Sequence, residues 1–256
     1  MFSRALVRPP GASFAQGLTS ANLGKPDLVL ALQQHALYCA ALEQCDLELT
    51  HLPPEPDLAD STFVEDTAIL TACAAIITCP GAPSRVPEVA SVAAALPPFY
   101  SQIYSIQSPG TVDGGDICQA EDHFFIGLSE RTNAEGARQL AAILAQEGFT
   151  FVTVDIRGIP GILHLKSGIS YVGDGRLVLI DALATHAAFR DYEVVHVDRE
   201  ENYAANCVRV NDQVIIAAGF PRFEASIRAF GYPVTSLDMS EFRKLDGALT
   251  CLSLRF

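Results

Sequence analysis

Five polar residues, Asp66, Asp113, His164, Asn206 and Cys251, each introduce a short apolar hairpin, at intervals of 47, 51, 42 and 45 residues by subtraction of their numbers. A period of roughly 50 residues restricts a chain to propeller-like or solenoid arrays of one repeated unit. The hairpins read alike. Thr67-Ala-Ile-Leu and Ala75-Ile-Ile-Thr form one pair of strands, and Ile117-Cys118 and Phe124-Phe125-Ile126 flank a Glu121-Asp122 turn. Residues 168–172 and 176–180 flank Gly173-Asp174-Gly175, and 207–210 and 213–216 flank Asn211-Asp212. Short apolar runs bounded by turn formers are the pattern of strands. A helix follows each hairpin. The first, over 87–96, is stopped by Pro97-Pro98. The second starts at a Thr132-to-Glu135 capping box and ends at Gly148. The third covers 182–189, and the fourth carries Phe223, Ile227 and Phe230 and closes at Gly231. A further strand is expected before each hairpin.

The fifth unit would begin with a strand over 249–254, placing Cys251 where a loop enters a strand, and the chain stops before a helix. Arg4-Ala-Leu-Val and the helix after it can complete that unit by pairing first and last segments, which also removes exposed sheet edges. This helix follows Gly24-Lys25-Pro26-Asp27, presents Leu28, Leu32, Ala36, Cys39 and Leu42 at helical spacing, and runs for about 20 residues. In a closed ring the five equivalent positions face one axis, so two carboxylates, an imidazole and a thiol would meet there.

A chain of 256 residues, 49% hydrophobic and 18% charged, can bury a full core as one large domain or two small ones. No apolar run reaches the roughly 18 residues of a membrane span, and the first ten residues lack the apolar core of a signal peptide. Seven cysteines without a Cys-x-x-Cys pair point to reduced thiols in a cytoplasm, against a disulfide framework or a Cys-rich zinc site. A net charge of −13 disfavours nucleic acid and anionic membrane as partners, while a small cationic substrate is compatible with it. A homodimer is left open.

A thiolate is the reactive form of cysteine, and a bound cation would favour it. Two carboxylates are natural receptors for a planar guanidinium, and a histidine can exchange a proton near neutral pH. Such a centre suits attack of Cys251 on the central carbon of a guanidinium, with His164 protonating the departing amine and later activating water. Each residue also has a plainer reading. Cys251 could be a buried structural thiol, His164 a strand residue with a satisfied hydrogen bond, and Asp113, beside Gly114-Gly115, a turn former. Asp66 next to Glu65, between apolar stretches, is costly to bury unpaired.

Phe63-Val-Glu-Asp66, Thr111-Val-Asp-Gly-Gly-Asp116, Arg131-Thr-Asn-Ala-Glu-Gly-Ala-Arg138, Leu163-His-Leu-Lys166, Tyr203-Ala-Ala-Asn206 and the 246–256 tail together resemble the dimethylarginine dimethylaminohydrolase family, its bacterial form in particular. The likeness spans the chain. It implies a five-bladed α/β propeller, or pentein, over 1–256 as one catalytic domain. It also implies hydrolysis of Nω-methylated arginine to citrulline and an alkylamine through a covalent S-alkylthiouronium. Cys251 matches the nucleophile, His164 the proton donor, and Asp113 the carboxylate that orients the histidine, where members carry Glu or Asp. Asp66 matches the second guanidinium carboxylate. Asp60, Phe63, Glu65 and the backbone of Leu18 and Leu245 match substrate contacts. Arg85 and Arg131, which by themselves read as solvated surface charges, match the clamp on the substrate's α-carboxylate, and Arg131 stands just before a helix N-terminus that favours an anion. No cofactor and no metal ion is expected.

Other readings differ in chemistry. An arginine deiminase would act on unmethylated arginine, but that family resembles a longer chain with an added helical segment. An amidinotransferase would hand the amidino group to an amine, and a silent guanidine-binding protein would have no need of Cys251, His164 and Asp113 together. A Cys/His metal protein lacks the ligand spacing, although zinc could bind Cys251 and His164 as an inhibitor.

Overall fold

The computed structural model describes every residue, Met1–Phe256, and the chain divides into two compact units, 1–65 with 206–256, and 66–205. The first unit holds two three-stranded sheets. In one, Arg4–Val7 is the central strand, antiparallel to Ser253–Arg255 and parallel to Glu48–His51. Ala5, Leu6 and Val7 lie opposite Arg255, Leu254 and Ser253, so the expected pairing of first and last segments is present. In the other, Val208–Val210 runs antiparallel to Gln213–Ala217, which pairs in parallel with Val234–Leu237 across the helix Pro221–Ala229.

The helix between Arg4–Val7 and Glu48–His51 is Leu28–Gln44, 17 residues long, and Asp27 caps it by accepting from the Val29 and Leu30 amides. Its buried face differs from the expected one. Ala31, Gln34, His35, Tyr38, Cys39, Ala41 and Leu42 point inward, whereas Leu32 is 40% exposed. This helix carries apolar residues on every side, so periodicity could not select a face. Polar partners select it instead, with Gln34 donating to Asp238 and Ser240 and the Tyr38 hydroxyl bonded to that of Ser253.

The second unit repeats one plan three times: an antiparallel hairpin, a helix, then a strand returning parallel to the hairpin's second strand. The hairpins are Ala68–Leu70 with Ala75–Ile77, Ile117–Ala120 with His123–Leu128, and Ile169–Gly173 with Arg176–Ile180. Their third strands are Ile103–Ser105, Thr150–Asp155 and Glu193–Val197. The strand expected before each hairpin is thus the last strand of the preceding sheet. Glu121, Asp174 and Asn211 take positive φ at the hairpin turns, a conformation open to Asn, Asp and a few others without much strain. Helix Ala134–Gln146 lays Ala137, Leu140 and Leu144 on Ile117, Phe124 and Ile126. Its cap is Asn133, which accepts from the Gly136 amide, and not Thr132 as the capping-box pattern suggests. The Thr132 hydroxyl is committed elsewhere, to Asp116.

All five repeat positions sit at short 3-10 turns that feed a strand. Asp66 lies in Val64–Thr67 and Cys251 in Thr250–Leu252, Asp113 and His164 cap Gly114–Asp116 and Leu165–Ser167, and Asn206 follows Arg199–Ala205. The expected strand over 249–254 is therefore shorter, starting at Ser253, two residues beyond Cys251. Alternation over six residues does not separate a strand from a turn entering one; hydrogen bonds to Thr250 do.

Candidate active site

The turn positions of the second unit converge. His164 Nε2 lies 3.1 Å from Asp113 Oδ2, and Asp113 Oδ1 accepts from the Gly81 amide at 2.8 Å. Asp66 Oδ1 accepts from the Gly115 amide at 2.7 Å, and Asp66 Oδ2 accepts from Arg85 Nη1. A Cβ on Gly115 would stand 2.7 Å from His164 Nδ1 and 2.9 Å from Asp66 Oδ1, so only glycine lets the imidazole and this carboxylate pack on that backbone. Asp66, Asp113 and His164 each offer an atom within 4.8 Å of the others, close enough to hold a metal ion. The carboxylates already accept N–H donors, and at Asp66 one of these is the guanidinium of Arg85.

Arg85 is 5% exposed, not a surface charge. Its Nε and Nη2 donate to Glu88 at 3.0 and 2.8 Å while Nη1 reaches Asp66. Removing the partners of a buried ion costs several kcal/mol, roughly 3–5, which accounts for two carboxylates around one guanidinium. Arg131 is half-buried, and its backbone packs so closely on Gly81 that a Cβ there would collide with it. Residue types alone give Glu88 and Asp116 no role, yet both are buried. Asp116 accepts from the Ser129 and Thr132 hydroxyls at 2.6 and 2.7 Å and from the Leu165 amide at 3.0 Å. It thereby ties the turn bearing Arg131 to the turn bearing His164. The signal was its place in Gly114-Gly115-Asp116, an acid directly before the apolar Ile117-Cys118 that opens the hairpin.

Charge sets the protonation. Burial opposes a charged His164, but Asp66, the hydrogen bond with Asp113, and Asp116 outweigh it and lift its pKa to about 9. Burial likewise opposes an ionised Asp66, but His164 and Arg85 hold it below the usual carboxylate range. At neutral pH the cluster contains an imidazolium and an ionised Asp66.

The first unit carries the other candidates in two groups. Leu18 donates its amide to both oxygens of Asp60, at 3.1 and 3.2 Å, and Gly17 packs between Asp60 and Leu245. Phe63 lies on Gly247 and against Phe14 and Phe242, so Leu18, Asp60, Phe63 and Leu245 share one neighbourhood. In the other group, Cys251 is partly exposed on its 3-10 turn, and its neighbour Thr250 donates to Glu65 Oε2 at 2.7 Å. Glu65 also lies 3.7 Å from Arg255. Asn206, which stands at a repeat position without an assigned role, bonds Thr250 twice.

A buried histidine–carboxylate cluster within α/β-propeller blades defines a class, the guanidine-modifying enzymes. A family model described as Arginine deiminase matches residues 91–229, more than half of the chain. A dimethylarginine dimethylaminohydrolase of Pseudomonas aeruginosa is 44% identical over all of both chains, and one of Streptomyces coelicolor is 34% identical over 98% of this chain and 96% of that one. The chain belongs to the dimethylarginine dimethylaminohydrolase family. Two solved structures share its fold at TM-score 0.97 and 44% identity, each covering all of both chains. One is a histidine-to-glycine variant of a dimethylarginine dimethylaminohydrolase as an adduct with S-methyl-L-thiocitrulline, and the other a cysteine-to-serine variant of the Pseudomonas aeruginosa protein complexed with citrulline. The expected α/β-propeller fold class is thus borne out. No helix is long and apolar enough to cross a membrane.

Proposed function

We propose that this chain hydrolyses Nω-methylated L-arginines to L-citrulline and dimethylamine or methylamine, acting in the cytoplasm with residues 1–256 as one catalytic domain. One observation carries the reading: Asp66, ionised and buried, already accepts a guanidinium N–H from Arg85 beside a protonated His164. Asp66 and Asp113 hold the substrate's guanidinium and make its central carbon electrophilic. Cys251 loses its thiol proton to solvent in the field of the bound guanidinium, its thiolate bonds to that carbon, and the C–N bond to the alkylamine breaks as His164 delivers its own proton to the leaving nitrogen. Water then loses a proton to His164 and adds to the S-alkylthiouronium, and expulsion of the thiolate leaves citrulline. Asp113 keeps the imidazole oriented, as their 3.1 Å contact supports. Leu18, Asp60, Phe63, Glu65 and Leu245 line the amino-acid end of the substrate, and Arg131 answers its carboxylate together with Arg85, which must exchange Asp66 for that carboxylate and so frees Asp66 for the guanidinium.

A homodimer is part of the proposal, supported by the helix Leu28–Gln44 leaving Val29 66% and Leu37 58% exposed on one face. Light scattering on the native protein and on Leu37→Glu tests it, since a dimer should become monomeric. The activity is tested by incubating the protein with dimethylarginine, monomethylarginine and arginine and identifying products by mass spectrometry. Citrulline with dimethylamine supports the proposal. Citrulline with ammonia from arginine alone would move the chain to deiminase chemistry, and no product would refute both.

A further inference from the structure

A three-residue 3-10 turn has little stability of its own, since its hydrogen bonds are few and poorly aligned. The turn Thr250–Leu252 that presents Cys251 is nonetheless pinned through Thr250. The Thr250 amide donates to Asn206 Oδ1 at 3.0 Å, and Asn206 Nδ2 donates to the Thr250 hydroxyl at 3.0 Å. That hydroxyl donates in turn to Glu65 Oε2 at 2.7 Å. The Thr250 carbonyl accepts from Arg255 Nη1 at 3.4 Å, and Arg255 Nη2 lies 3.7 Å from Glu65 Oε1, which closes the loop of contacts. Asn206, Thr250 and Glu65 are each 4% exposed, so water does not replace these bonds cheaply.

We propose that Asn206 and Thr250 form a positioning clamp for the nucleophile. The clamp fixes the backbone one residue before Cys251 and so sets the direction of its sulfur. Neither residue touches the reacting atoms; both act through Cys251, and the assignment rests on the nucleophile role proposed above. Asn206 suits the task because one planar amide can accept from a backbone N–H and donate to a hydroxyl at once. An aspartate there would keep the acceptor and lose the donor, leaving a second carboxylate near Glu65. Thr250 suits it because its hydroxyl accepts from Asn206 and donates to Glu65 together. Valine has nearly the same shape and can do neither.

Misplacing a reacting atom by about 1 Å costs on the order of 100-fold in rate. Thr250→Val and Asn206→Asp should therefore lower kcat roughly 10- to 100-fold, while KM, which can shift only through the loss of the Thr250 hydroxyl from Glu65 or a new carboxylate beside it, should stay within about threefold of the native value. Thr250→Ser keeps the hydroxyl and should restore kcat to within about threefold. The Thr250→Val, Asn206→Asp double variant should be no slower than the slower single one, because the two residues act as one unit. The experiment measures citrulline formation by the native protein, these variants and Cys251→Ser, with thermal midpoints recorded beside the rates. If the native protein makes citrulline and Cys251→Ser does not, yet Thr250→Val keeps native kcat, the clamp is overturned and the nucleophile stands. A rise in KM at unchanged kcat would also overturn it, placing these residues in substrate binding. Should Thr250→Val or Asn206→Asp be too unstable to assay, Thr250→Ser against Thr250→Ala decides: equal kcat in the two removes any role for the hydroxyl. Native protein that forms no citrulline from any methylarginine would refute the proposed activity itself.

Discussion

Protonated His164 should stabilise the folded chain, and the size of that effect follows from its surroundings. Its pKa rises from 6.5 to about 9 against the cost of burial, because Asp66, Asp113 and Asp116 favour the charged ring. One pKa unit corresponds to about 1.4 kcal/mol, so the difference is on the order of 3 kcal/mol. Because the folded-state pKa is the higher one, the stabilisation is fully present below about pH 6.5 and is lost as pH rises through about 9. Urea unfolding of the native protein between pH 6 and 9.5 should thus show stability falling by as much as about 3 kcal/mol from this group, and His164→Asn should remove that component of the slope. Histidine NMR on the folded protein reads the same quantity directly. Asp113→Asn takes away one charge and one acceptor and should bring the His164 pKa down by roughly 1–2 units. Activity should follow, since a neutral imidazole cannot deliver a proton to the departing amine, and kcat/KM should fall on the basic side of the His164 pKa. A His164 resonance that titrates at or below 6.5, or an unchanged pH slope in His164→Asn, would refute the electrostatic account of this cluster.

Cys251→Ser should bind a methylarginine yet lose turnover by several orders of magnitude, roughly 10³-fold or more, whereas Cys39→Ser or Cys118→Ser should cost only stability; product assays beside calorimetric binding separate the two. Deleting residues 1–7 removes the central strand of a three-stranded sheet, with partners on both sides, and should lower the thermal midpoint sharply; an unchanged midpoint would argue against that pairing. His35 is buried with its pKa lowered to about 4, chiefly by burial and then by His51, so the neutral ring is the stable form. The unfolded chain takes up that proton first, and stability should drop as pH falls from about 6.5 towards 4. His35→Gln should flatten that limb in acid titrations followed by circular dichroism.

The repeat was legible because it needs only local chemistry. Asp-Gly, Asn-Asp and Glu-Asp turns between apolar runs specify hairpins, and the five polar residues before them fall at a near-constant interval. Those positions do occupy equivalent 3-10 turns, and the family was readable from motifs at the same places. What the sequence left open was every choice made by a distant partner. Leu28–Gln44 is apolar all round, and its inward face is set by Asp238, Ser240 and Ser253, some 200 residues away. Thr132 matches a capping pattern, but Asp116 takes its hydroxyl and leaves the cap to Asn133. The tail alternates like a strand until Asn206 and Glu65 fold Thr250 into a turn. Arg85 has the composition of a surface charge and becomes a buried cation only because Asp66 and Glu88 surround it. Periodicity and turn chemistry act between neighbours in sequence, so residues alone determine the repeated unit. Desolvation and charge pairing act between neighbours in space, so the burial of Arg85, the protonation of His164 and the placing of Cys251 were decided by tertiary structure.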